Sequence, residues 1–221
     1  MTIFLREIQS NPLHASDTFP FIVPVIQTLK TLEFTKSVTF LVGENGSGKS
    51  TLLESIAVAV GSITVGEISI ERDTTLTDIR KYAQSLKLIW QTRTRKGFFM
   101  RSEDFFGYVK QQARLKEEMK KDLEDIDRDY KGRSEFAKNQ AKMAFSGQLH
   151  AMKSRYGESL DAYSHGESYF TLFKARFVPG GLYLLDEPEA PLSPMRQLAF
   201  LTMLNDMIKR NSQVIIATHS P

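Results

Sequence analysis

The sequence predicts an α/β fold: a central, mostly parallel sheet flanked by helices, with an N-terminal antiparallel β patch and a helical excursion. Three observations predict it. An apolar run, Val38–Val42, leads through a glycine-rich turn into an apolar stretch from Leu52 to Ala59. Two later apolar runs, Leu182–Leu185 and Val214–Ala217, are of strand length and each ends in polar residues. The pattern between strands is helical, and strands alternating with helices make parallel β-α-β units.

The totals bound the rest. A chain of 221 residues, 41% hydrophobic and 25% charged, has room for one sizeable core and an excursion from it. A net charge of +3 leans basic, which is compatible with nucleic acid. With no cysteine, disulfides, thiolate metal sites and cysteine nucleophiles are excluded. No apolar run approaches the ~20 residues of a membrane span, and the N-terminus lacks a signal-peptide pattern. A soluble, cytoplasmic protein is the expectation.

In chain order, Ile3–Ile8 reads as a strand, and the prolines at 12, 20 and 24 place edges and turns after it. Leu29–Phe34 reads as a further short strand. Val38–Val42 is apolar on both faces, as expected of a central parallel strand covered by helices. Gly43-Glu44-Asn45-Gly46-Ser47-Gly48-Lys49-Ser50-Thr51 then matches the spacing G-x-x-x-x-G-K-[ST], a P-loop. Its glycines let backbone N–H groups, at a helix N-terminus, approach phosphate oxygens closely. Lys49 is placed to reach β- and γ-phosphates, and the Ser50 hydroxyl to ligate Mg²⁺.

Ile63, Val65, Ile68 and Ile70 alternate within Gly61–Arg72 and suggest a hairpin or small antiparallel patch. Asp78–Leu86 reads as a short helix, and Lys87–Gln91 and Gly97–Arg101 as strands. The basic turn between them, with Arg93, Arg95 and Lys96, reads either as a solvated hairpin tip or as a phosphate or nucleic-acid contact. From about 103 to 160 charges of both signs crowd around sparse apolar positions (Leu115, Met119, Leu123, Ile126) at helical spacing, an exposed helical excursion with ion pairs three or four apart.

Ser164-His165-Gly166-Glu167 opens an apolar-periodic stretch. Taken alone it reads as a capping box, with Ser164 the N-cap. Its place ahead of Gly181–Pro188, an apolar strand running into Asp186 and Glu187, points to a site instead. Buried carboxylates are costly unless a cation or donors meet them; Asp186 is therefore read as a Mg²⁺ ligand and Glu187 as the group that acts on water. Pro194 and Met195 start a helix whose Leu198, Leu201, Leu204 and Ile208 share one face. Gln213–Thr218 is a buried strand that delivers His219 to the carboxyl end of the sheet, where open α/β folds bind ligands. A catalytic-site role follows for His219.

A P-loop, then S-x-G-E before a helix, then D-E-P, then T-H-S: this order resembles the ATP-binding-cassette (ABC) ATPases, a class of P-loop NTPase. Ser-His-Gly-Glu stands where L-S-G-G-Q is commoner. Glu-Pro-Glu-Ala-Pro-Leu-Ser-Pro (187–194) and Ala217–Pro221 resemble the non-transporter branch, which includes the chromosome-maintenance (SMC) and RecF-like ATPases. Phe98–Glu103 and the 156–167 stretch are most similar to its compact bacterial AAA-family ATPases.

The resemblance implies one ATPase domain over residues 1–221, binding ATP and Mg²⁺. Gly43 and Asn45 through Thr51 hold the phosphates, and Ser50 and Asp186 serve the metal. Glu187 deprotonates water, Lys49 assists, and His219 contacts the γ-phosphate. Ser164 and Gly166 serve a neighbouring protomer's nucleotide, which implies an ATP-sandwiched homodimer. DNA is a further candidate partner, for a repair or defence ATPase that uses ATP as a clamp switch; the ATPase subunit of a membrane transporter is a third, less favoured reading. Ser193 replaces the family's D-loop aspartate, Gln91 and Glu103 both fit the glutamine-loop position, and Phe19 and Phe21 are candidates for the adenine contact. Relatives continue past the histidine motif into further strands, so C-terminal truncation at Pro221 is expected.

Overall fold

The computed structural model describes residues 2–11, 17–65, 69–132, 134–156 and 165–219. The chain divides into two compact units, Met1–Phe105 with Phe177–Pro221, and Phe106–Arg176.

The first unit carries both sheets. Strands β1 (Leu5–Ser10), β2 (Thr31–Glu33) and β4 (Leu86–Trp90) form an antiparallel sheet in the order β2-β1-β4. Strands β3 (Val38–Val42), β5 (Gly97–Arg101), β6 (Leu182–Asp186) and β7 (Gln213–Thr218) form a parallel sheet in the order β3-β7-β6-β5. Its register lines up Val42 with Thr218, Asp186 with Ala217, and Arg101 with Asp186. The carboxyl ends of all four strands thus share one edge of the sheet. Buried Gln213 links the two sheets: its Oε1 accepts from the N–H groups of Phe4 and Leu5 at 2.7 and 2.9 Å, and its Nε2 donates to Leu5 O at 2.9 Å. A glutamine in the core is tolerable because its amide is satisfied.

Helix α1 (Pro24–Thr28) is short and begins on a proline, and α2 (Lys49–Val60) follows the glycine-rich turn. Leu52, Leu53, Ile56 and Ala57 of α2 are buried in the core with Leu182, Leu184, Ile215 and Ala217. Burial of Leu53 and Ile56 contributes about 1.5–3 kcal/mol each. A 3₁₀ turn (Thr74–Leu76) leads into α3 (Thr77–Ala83), and α7 (Pro194–Lys209) joins β6 to β7.

Four expectations are corrected. Val38–Val42 lies at the end of the parallel sheet's strand order, with Phe40 48% and Val42 65% exposed; the central places go to β6 and β7, buried along their whole length. Within Gly61–Arg72 the described residues form no hairpin: Thr64 makes a lone parallel bridge to Phe99, and residues 66–68 lie outside the described set. The basic turn is not a hairpin tip, because β4 and β5 belong to different sheets. On α7 the buried side chains are Phe200, Leu204 and Met207, while Leu198 and Leu201 are exposed.

The second unit is helical: α4 (Ser102–Asp129) enters it, followed by α5 (Glu135–Tyr156) and α6 (His165–Arg176). The carboxylate of Asp127 on α4 meets the amines of Lys138 and Lys142 on α5, joining the two helices. Arg114–Glu118 and Lys120–Glu117 pair along α4 at the expected spacing. Such exposed pairs contribute a few tenths of a kcal/mol each, roughly 0.2–0.5. Tyr169 and Phe173 stack on α6 with ring centroids 6.2 Å apart, and the Arg176 guanidinium lies 5.1 Å from the Tyr108 ring.

Candidate functional site

The loop 43–48 joins β3 to α2, so Gly43, Asn45, Gly46, Ser47 and Gly48 precede the helix and Lys49, Ser50 and Thr51 form its first turn. Gly48 is needed twice over. It is left-handed (φ +93°), and a Cβ there would come within 2.4 Å of Val23 and 2.7 Å of Val25. The Lys49 ammonium curls back over the loop and donates to Gly43 O at 2.8 Å and Glu44 O at 2.9 Å. The cradle is thus pre-formed around a buried cation at a helix N-terminus, the electrostatic arrangement a polyphosphate needs.

Across from it, the Ser50 hydroxyl donates to Asp186 Oδ1 at 3.0 Å. Asp186 ends β6 and is buried. Burial pushes its carboxyl up to about 6; the Ser50 hydrogen bond opposes that shift and Glu187 adds to it. A buried carboxylate held against a hydroxyl is an oxygen donor set that fits Mg²⁺. Ser50 and Asp186 are the residues that would hold the ion.

Glu187 lies just beyond β6 with φ +48°, an uncommon conformation for a residue with a side chain. Its N–H donates to Ala217 O at 2.9 Å, which ties the turn to β7. His219 follows β7 directly, and its Nδ1 lies 3.3 Å from Glu187 Oε1 and 4.0 Å from Glu189 Oε1. Glu189 also accepts from the Thr218 hydroxyl. The P-loop, Asp186, Glu187 and His219 therefore gather at the carboxyl edge of one sheet, where ligands bind open α/β folds.

Ser164 lies outside the described residues, and Gly166 is in the first turn of α6, in the helical unit. Ser193 is the N-cap of α7. Gln91 hydrogen-bonds through its N–H to Phe4 O, within the antiparallel sheet, whereas Glu103 follows β5 and lies 3.4 Å from Arg101 Nε. Phe21 packs edge-on against Tyr82, and Phe19 is exposed.

Sequence reasoning missed a second set of charges at this edge. Arg101, last in β5, pairs with Asp73 at 2.7 Å, Asp104 at 3.1 Å and Glu54 at 3.5 Å. Glu54 is one turn along α2 from Ser50. Burial pushes its carboxyl up to about 7; Arg101 pulls it down and Asp186 pushes it further up. Asp73 is buried too, but hydrogen bonds from Thr75 and Arg101 hold it below the usual carboxylate range. The available signal was Arg101 itself, a lone cation ending an apolar strand beside the strand of Asp186.

A family model described as ABC transporter matches residues 31–190, most of the chain. A solved structure described as the ATP-binding subunit of an ABC transporter is similar over 97% of this chain and 79% of its own, at 18% identity and a TM-score of 0.42. No curated protein matches. On the extent of the family match, the chain belongs to the ABC transporter family.

Proposed function

We propose that this chain binds Mg-ATP at the carboxyl edge of its parallel sheet and hydrolyses it to ADP and phosphate. The observation that carries the proposal is the Ser50–Asp186 contact at 3.0 Å beside the P-loop, with Glu187 and His219 next to it. Family membership supports ATP as the nucleotide. Lys49 exchanges its two loop carbonyls for β- and γ-phosphate oxygens. Glu187 takes the proton of the attacking water, and His219, within reach of Glu187, contacts the γ-phosphate. Mg²⁺, held by Ser50 and Asp186, would neutralise charge on the phosphate oxygens. Most of the acceleration is then positioning and electrostatic stabilisation.

The finer reading is an ATP-sandwiched homodimer in which Ser164 and Gly166 of one copy close over the nucleotide of the other. The E-P-E-A-P-L-S-P stretch supports the non-transporter, SMC- and RecF-like branch, and we place the protein in the cytoplasm on its composition. Size-exclusion chromatography with light scattering tests the dimer. Glu187→Gln with Mg-ATP should elute at twice the monomer mass and return to the monomer without nucleotide; a monomer in both conditions would overturn it. A second reading, a DNA-associated clamp switched by ATP, is favoured by Arg93, Arg95 and Lys96, exposed cations with no ion pair among the described residues.

A further inference from the structure

The amino end of the parallel sheet holds a cavity of about 340 Å³, remote from the P-loop along the strands, and among the described residues no carboxylate lines it. Arg93, Arg95 and Lys96 line it, together with Val60, Ile63 and Leu182. The turn that carries the cations is fixed. The Thr94 hydroxyl donates to Gly180 O at 3.0 Å and accepts from Lys96 N–H at 3.2 Å, while Lys96 O accepts from Leu182 N–H at 3.0 Å. Gly97, at φ +114°, allows this close approach, since a Cβ there would sit 1.8 Å from Leu182 O.

The local alternative is that these cations merely complement the C-terminus of α2, which ends at the same cavity. Magnitudes decide against it. A helix end carries about half a negative charge, and two of its terminal carbonyls are already met by Gly61 N–H to Val58 O (3.1 Å) and Ser62 N–H to Ala57 O (3.0 Å). The three full positive charges of Arg93, Arg95 and Lys96 outweigh that half charge. Ile63, 63% exposed, adds an apolar surface beside them. Cations next to an exposed isoleucine suit a unit that is anionic at one end and flat and apolar at the other.

We infer that this cavity binds single-stranded nucleic acid, the three cations taking phosphodiester oxygens and Ile63 taking the face of one base. A duplex keeps its bases paired inward and cannot offer one to Ile63. Binding here deepens the second reading above and rests on it for the partner class, not on ATP hydrolysis, so its failure leaves the proposed ATPase intact, and failure of the ATPase leaves this site intact.

The test is fluorescence anisotropy of a labelled oligothymidylate strand, titrated with the full chain across a salt series. Neutralising three phosphate contacts on a single strand accounts for a slope of about −2 in log K against log salt. The variant with alanine at Arg93, Arg95 and Lys96 should lose that slope while hydrolysing ATP at the parent rate. Ile63→Ser should weaken binding with the slope unchanged. Alanine at Lys120, Lys121 and Lys131, exposed on the helical unit, controls for net charge and should leave binding as it was. The proposal is overturned if the two triple variants lose equal affinity, if neither differs from the parent, or if free thymidine monophosphate competes as well as the strand.

Discussion

At the carboxyl end of the parallel sheet Asp186, Arg101, Asp73 and Glu54 are largely buried and paired, whereas at its amino end three cations stand exposed around a cavity with no acid among its described lining residues. Both ends are built on the same strands, so the difference lies in the residues that flank each apolar run. Buried pairs fix geometry, because separating them in a low-dielectric setting is expensive. Exposed cations fix little by themselves and act on whatever anion reaches them. Substitutions at the carboxyl end should therefore change stability or turnover, and substitutions at the amino end only an outside contact.

The largest effect is expected at Arg101. Arg101→Ala strands Asp73 and Glu54, both largely buried, and removing one partner of such a set costs about 3–5 kcal/mol. Urea unfolding should show that loss, and Arg101→Lys should recover only part, since an ammonium cannot fork across several carboxylates. A loss below about 1 kcal/mol would put this end in the same class as the exposed turn.

Next is Lys49→Ala. Removing a charge-assisted contact to phosphate costs about 1.5–3 kcal/mol, so ATP affinity by equilibrium titration should fall by roughly ten- to a hundredfold. Unfolding of the nucleotide-free protein should change far less.

The last effect concerns pH. With its folded value near 7 against 4.5, Glu54 holds its proton longer in the folded chain than in the unfolded one. The folded state therefore loses stability as pH rises from about 4.5 to 7, and the deficit stays constant above that. Melting temperatures of Glu54→Gln should fall less over that interval than those of the parent; parallel curves would remove Glu54 from the account.

The same contrast explains what could be read from the chain alone. The gathering of the P-loop, Asp186, Glu187 and His219 at one edge was legible because each follows or ends an apolar run of strand length, and parallel strands put those ends together. Strand order was not legible: Val38–Val42 is as apolar as a central strand, yet β7, last in the chain, takes the inner place beside it. Glu54, Glu189 and Arg101 were missed because their meaning is tertiary; each meets its partners through folding, as Arg101 meets Asp73 from 28 residues away. The basic turn was seen, but reading it as a hairpin assumed that neighbouring strands pair. Here they feed different sheets, and the crossing between them lines the cavity.

The central claim is that Glu187 is the base of an ATP hydrolysis carried out at this edge. Steady-state phosphate release by Glu187→Gln, with ATP affinity titrated on the same preparation, tests it most directly. Turnover should drop by about 10²–10⁴ with affinity retained. Release at the parent rate would contradict the account.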